Sequence, residues 1–202
     1  MRFYALDIET EGLDPLEQKI VSIAVAGETD SIVLDGKNEL ALLEDIAAWF
    51  TNPHRETGCI VTWNGSAFDW PYMETRAKIC GATNFLAALK MTLSPQRPPV
   101  YKPTNGHLGG YVVQFAGFDH ADVMFPWRPW AKQMGIGGGL KPVAKANGLT
   151  VIEVDRTKIT ELSRTELVAY NMSDVDATLT LALKLGDEIE KWYDSALLST
   201  GS

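Results

Sequence analysis

The sequence predicts an α/β domain built on a mixed β-sheet flanked by helices. Three observations carry that expectation. β-forming runs gather near the start, at 3–9, 20–26 and 31–34; amphipathic helical stretches follow them; and a short apolar run at 59–63 feeds straight into a helical pattern. No internal repeat, heptad seam or linker divides the 202 residues, and 46% of them are hydrophobic. A single domain over residues 1–202 is therefore expected, with a core of ordinary size.

The elements follow in order. Phe3 to Glu9, Ile20 to Ala26 and Ser31 to Leu34 are separated by turn residues and read as a three-stranded antiparallel meander. Leu40, Leu43, Ala47 and Phe50 recur at spacings of three and four before a break at Asn52-Pro53, which marks an amphipathic helix. Cys59 to Trp63 is a buried strand, and a helix from about Trp70 to Ile79 follows. From Met91 to Gly110, four prolines and two glycine-containing turns predict an exposed excursion. That excursion is either a solvated connection or a place where Arg97, Lys102 and His107 hold a phosphate backbone.

Tyr111 to Phe115 and Phe118 to Met124 read as further strands, and Trp127 to Met134 as a short helix. The cluster from Gly135 to Gly139 has no Gly-Lys-Ser/Thr after it and no strand directly before it. It reads as a loop between two helices rather than a phosphate cradle. Leu140 to Ala146 is helical in pattern, with Gly148 suited to its C-terminal cap. Ser163-Arg164-Thr165-Glu166 has the form of a capping box and opens a long final helix, expected to run to about Tyr193.

Composition restricts the function classes. No run approaches the roughly 18 uninterrupted apolar residues of a bilayer span, and acids interrupt the start, so a membrane protein and a secreted precursor are both disfavoured. Cys59 and Cys80 are the only cysteines, too few for a disulfide framework or a sulfur-ligated zinc. A reducing cytoplasmic location is the expectation. The 18 basic residues stand against 26 acidic ones, a net charge of −8. That disfavours polyanion binding through a broadly basic surface, but carboxylates clustered around divalent cations reverse their local sign.

Asp7 and Glu9 are such carboxylates. Two apart in a strand, they share one face, separated by about 6.6 Å of strand rise. Two like charges there are costly unless a cation compensates, although acid pairs of this spacing also occur on exposed edges. Asp69 closes the turn Asn64-Gly65-Ser66-Ala67-Phe68 at a helix start, where an acid could equally serve as a simple N-cap. Tyr170 and Asp174, four apart, lie on one face of the last helix, while Asp176 turns away from it.

Leu6-Asp7-Ile8-Glu9-Thr10, Trp63-Asn64-Gly65-Ser66-Ala67-Phe68-Asp69 and Tyr170-x-x-x-Asp174 together resemble the three ordered motifs of the DEDDy 3′–5′ exonucleases, of ribonuclease H-like fold. The resemblance is greatest to the proofreading domain of family B DNA polymerases and to the stand-alone exonucleases related to it. It covers most of the chain, including 118–124 and 140–144.

By this resemblance Asp7, Glu9, Asp69 and Asp174 hold two divalent ions, Mg²⁺ or Mn²⁺, and Tyr170 orients or helps deprotonate the attacking water. Hard cations with oxygen ligands agree with that assignment. It further implies that Glu9 and the Thr10 backbone meet a terminal 3′ hydroxyl, and that Asn64 and Phe68 touch the last nucleotides. Leu13 would wedge against the terminal bases, with plain core packing as the alternative for Leu13 and Phe68.

The implied reaction is metal-dependent release of 5′-mononucleotides from single-stranded DNA 3′ ends. The competing readings are a ribonuclease D-like exoribonuclease and a non-catalytic module that binds nucleic acid or a polymerase. With 202 residues there is no room for a polymerase palm, so the chain is expected to work alone or beside a separate polymerase or repair protein.

Overall fold

The computed structural model describes residues 1–36, 38–93 and 110–193. Most of the Pro/Gly-rich excursion, with Arg97, Lys102 and His107, lies outside them. Strands β1 (Arg2–Thr10), β2 (Ile20–Gly27) and β3 (Ser31–Asp35) form the expected antiparallel meander. β4 (Gly58–Thr62) pairs parallel to β1, and β7 (Phe118–Asp122) parallel to β4. β6 (Tyr111–Phe115) and β5 (Leu89–Leu93) continue antiparallel, giving a seven-stranded mixed sheet in the order β3-β2-β1-β4-β7-β6-β5.

Both faces of the sheet are covered. Helices α1 (Glu39–Thr51), α2 (Asp69–Cys80) and α3 (Thr83–Ala88) pack on one face, where Tyr4, Leu6 and Ile8 of β1 join Phe50, Trp70 and Phe115. Helices α4 (Met124–Gln133), α5 (Leu140–Ala146) and α6 (Arg164–Leu185) cover the other, against Phe3 and Ala5. Strand alternation therefore sends the odd residues of β1 toward α6, and Asp7 and Glu9 continue that row.

Two tethers fix the connection between β1 and β2. Arg76 of α2 makes a buried ion pair with Glu39 and donates from Nη1 to the Pro15 carbonyl at 3.1 Å. The Tyr72 hydroxyl lies 2.9 Å from the Gln18 carbonyl and 3.1 Å from that of Gly12.

Several boundaries differ from the sequence reading. The last helix stops at Leu185, because Gly186 adopts φ 51° and ψ −134°, outside helical geometry, and a 3₁₀ turn over Gly186–Trp192 follows. α4 begins at Met124, three residues before the expected start, which shortens β7 to Asp122. Met91 to Leu93, expected in the excursion, belong to edge strand β5. Helix α3 and a 3₁₀ turn at Arg156–Glu161 are additions to the expected elements. The glycine cluster joins α4 to α5 as expected, and Ser163 and Glu166 form the full capping box. No helix among the described residues is long and apolar enough to cross a membrane.

Candidate active site

β1 runs beyond the segment it shares with β4, since only Arg2 to Ala5 pair with that strand. β4 itself stops at Thr62, and the chain turns through Trp63 to Phe68 before entering α2. A cleft of about 940 Å³ opens where the two strands part. Thr10, Leu13, Asn64 and Phe68 line it together with Lys141, Arg156, Thr157 and Tyr170, around the acids Asp7, Glu9, Asp69 and Asp174.

Asp7, Glu9 and Asp174 each offer one carboxylate oxygen such that the three lie within 4.8 Å of one another. Asp69 stands beside this trio rather than in it. It is the first residue of α2, and its Oδ1 accepts from the Ile8 amide at 3.2 Å, so it ties the helix start to β1 instead of serving as the N-cap. The Ile8 amide needs that partner because β4 no longer flanks β1 there.

The turn carrying Asn64 and Phe68 is shaped by three residues. Asn64 takes φ 67°, a left-handed conformation that asparagine tolerates. A Cβ on Gly65 would sit 2.4 Å from Thr62 Oγ1, so the close approach of this turn to β4 requires glycine. Buried Asp122, at the end of β7, accepts from the Asn64 amide at 2.9 Å, the Ser66 amide at 3.1 Å and the Ser66 hydroxyl at 2.6 Å.

Two cations that the sequence reading does not assign stand over the acids. Lys141 Nζ pairs with Asp174 Oδ1 and sits 4.5 Å from the centroid of the Tyr170 ring. Arg156 Nε donates to the Tyr170 hydroxyl at 3.2 Å, and its Nη2 is 4.0 Å from Asp174 Oδ2. Asp174 Oδ2 is buried and finds no hydrogen-bond donor among the described residues. For Lys141 the sequence signals are the helical pattern of 140–146 and the resemblance over 140–144; Arg156 has none.

Burial sets the electrostatics. It raises Asp7 to about 6, opposed by Arg156 and Lys141. Burial and then the Asp7 charge raise Glu9 to about 8, and the same two causes lift Asp69 well above the carboxylate range. Burial lowers Lys141 to about 8 and raises the Tyr170 phenol. The raised proton affinity of Asp7, Glu9 and Asp69 and the unpartnered Oδ2 of Asp174 suit a hard divalent cation, which would supply the positive charge this cluster lacks.

The cleft thus brings together every residue expected at the site: Asp7, Glu9, Asp69, Tyr170, Asp174, Thr10, Leu13, Asn64 and Phe68. Leu13 is 59% exposed, so core packing does not explain it. Phe68 tilts against Tyr72, with ring centroids 5.3 Å apart.

Residues 4–160 match the model of the RNase_H superfamily. The chain belongs to that superfamily. The match ends before α6, so Tyr170 and Asp174 lie beyond it. Among solved structures, this RNase_H-superfamily chain is similar to the family B DNA polymerase from the hyperthermophilic archaeon Pyrobaculum calidifontis, with a TM-score of 0.63 and 22% identity. The similarity covers 92% of this chain and 24% of the polymerase, so the chain spans about a quarter of its length. No curated protein matches the sequence.

Proposed function

We propose that this protein is a DEDDy-type 3′–5′ exonuclease that hydrolyses phosphodiester bonds at the 3′ end of single-stranded DNA and releases 5′-mononucleotides. The observation that carries the reading is the convergence of Asp7, Glu9 and Asp174 oxygens within 4.8 Å, with Tyr170 one helical turn from Asp174. Superfamily membership and the fold shared with a family B DNA polymerase support it.

Asp7, Glu9 and Asp174 would hold Mg²⁺ or Mn²⁺, with Asp69 serving a second ion beside Asp7. Bound there, the ions would activate a water and stabilise charge on the leaving 3′ oxygen. Tyr170 accepts a hydrogen bond from Arg156, a group that only donates, so its own proton is available to orient the attacking water. Asn64, Phe68 and Leu13 offer a polar and apolar wall on which the terminal nucleotides stack without base preference.

The test uses 5′-labelled single-stranded DNA and matching RNA with Mg²⁺, Mn²⁺ or EDTA. A metal-dependent ladder shortening from the 3′ end, abolished by Asp7→Ala, is expected, with DNA cleaved faster than RNA. No ladder from the folded protein overturns the reading, and faster cleavage of RNA corrects its substrate.

A further inference from the structure

Lys141 and Arg156 are the only basic residues among the described ones that line the cleft, and they are placed differently. Lys141 is engaged with the Asp174 carboxylate and covers the Tyr170 ring. Arg156 uses Nε on Tyr170, while its side chain is 72% exposed at the cleft. Its Nη1 makes no hydrogen bond among the described residues, which leaves the outer edge of the guanidinium for an incoming anion.

The segment bearing Arg156 is fastened rather than loose. The Ile152 amide donates to Ser173 Oγ of α6 at 2.9 Å, and Ile159 is buried. Asp155 caps the 3₁₀ turn through the Thr157 amide at 3.0 Å. A planar donor anchored through Nε beside a cluster of acids is suited to the non-bridging oxygens of a phosphodiester, whose charge the acids alone would repel.

The geometry points to Arg156 as a substrate-phosphate residue that grips the phosphodiester from the outer edge of its guanidinium while Nε holds the Tyr170 hydroxyl in place. This assignment rests on the nuclease reading for its catalytic part only. Its binding part stands on the cleft itself.

Two readouts test it, on Arg156→Ala, Arg156→Lys and the control Lys158→Ala, which removes an exposed charge from the same turn. The first is affinity for a labelled oligothymidylate ending in a 3′ phosphorothioate linkage, titrated across salt concentrations with Mg²⁺. Arg156→Ala should flatten the salt dependence by about 0.7 in log–log slope, the loss of one phosphate contact to a single strand, and Lys158→Ala should not. The second is hydrolysis of ordinary oligothymidylate. Arg156→Ala should lower kcat by roughly 100-fold, and Arg156→Lys should restore the slope while recovering only part of the rate, because a point charge cannot serve Tyr170 and phosphate together.

An unchanged slope in Arg156→Ala, or in Arg156→Lys relative to it, overturns the assignment and leaves Arg156 a structural partner of Tyr170. If wild type cuts no polymer yet the slope still flattens in Arg156→Ala, the phosphate site stands and the nuclease reading fails. Thermal melting of each variant shows that the compared proteins are folded.

Discussion

The Ile8 amide donates to Asp69 Oδ1 at 3.2 Å, joining the strand that carries Asp7 and Glu9 to the helix start that carries Asp69. The carboxylate stands where a neighbouring strand's carbonyl would otherwise be. Asp69→Asn keeps an acceptor and removes a carboxyl group that burial makes costly to ionise, whereas Asp69→Ala strands the amide. Without metal, Asp69→Asn should therefore melt at or above the wild-type temperature. Asp69→Ala should lose about 1–3 kcal/mol of stability. Calorimetry on both variants checks this, and equal melting temperatures would count against a structural role for the bond.

The raised carboxylates make stability depend on pH in a defined direction. Asp7 and Glu9 bind protons more tightly in the folded chain, at about 6 and about 8, than carboxylates do when unfolded. Folding therefore takes up protons between about pH 4 and 8, and their contribution to stability falls as pH rises through that window. Lys141, lowered to about 8, opposes this only at higher pH. In EDTA the melting temperature should drop between about pH 5 and about pH 8. Saturating Mg²⁺ or Mn²⁺ should reduce or reverse that drop, and the metal's effect should vanish in Asp7→Ala.

What is legible in the sequence is local. Asp7 and Glu9 share a face because strands alternate, and Tyr170 and Asp174 share one because four residues make about one helical turn. Arg156 is invisible there because its place depends on how 150–162 docks on α6, through Ile152 to Ser173 and the burial of Ile159. Edge strand β5 is hidden for a different reason: Leu89, Met91 and Leu93 alternate with polar residues and the first two pack against the core, but the strand is only five residues long and runs straight into the Pro/Gly-rich stretch whose composition dominates the reading. The end of α6 is written as Gly186, but the helix-favouring residues that follow mask a single glycine.

Gly65 offers a test of the turn before Asp69. A methyl there would fall 2.4 Å from Thr62 Oγ1 and 2.5 Å from its Cβ, too close for adjustment of the side chain alone. Gly65→Ala should cost about 1–3 kcal/mol and move Asn64 and Phe68 away from the cleft. The expected kinetic signature is a raised KM for single-stranded DNA, and an unchanged KM would separate this turn from substrate binding. A second change, Thr62→Ser, should restore neither property, because it keeps the Oγ and Cβ that the new methyl would meet.

Asp122 makes a sharper separation between holding metal and holding substrate. Its carboxylate gathers the amides of Asn64 and Ser66, the Ser66 hydroxyl, and the Met124 amide at 3.2 Å. None of Asp7, Glu9 and Asp174 lies on the turn it organises. Asp122→Asn keeps the side chain's shape but turns one acceptor into a donor facing groups that also donate. It should lower stability by about 1–3 kcal/mol and slow hydrolysis roughly tenfold through misplacement of Asn64 and Phe68. Mn²⁺ affinity, read by titration, should stay within about threefold of wild type, a change of less than about 0.7 kcal/mol. A large loss of Mn²⁺ affinity would show instead that the turn and the three-acid cluster form one unit, with Asp69 as their link.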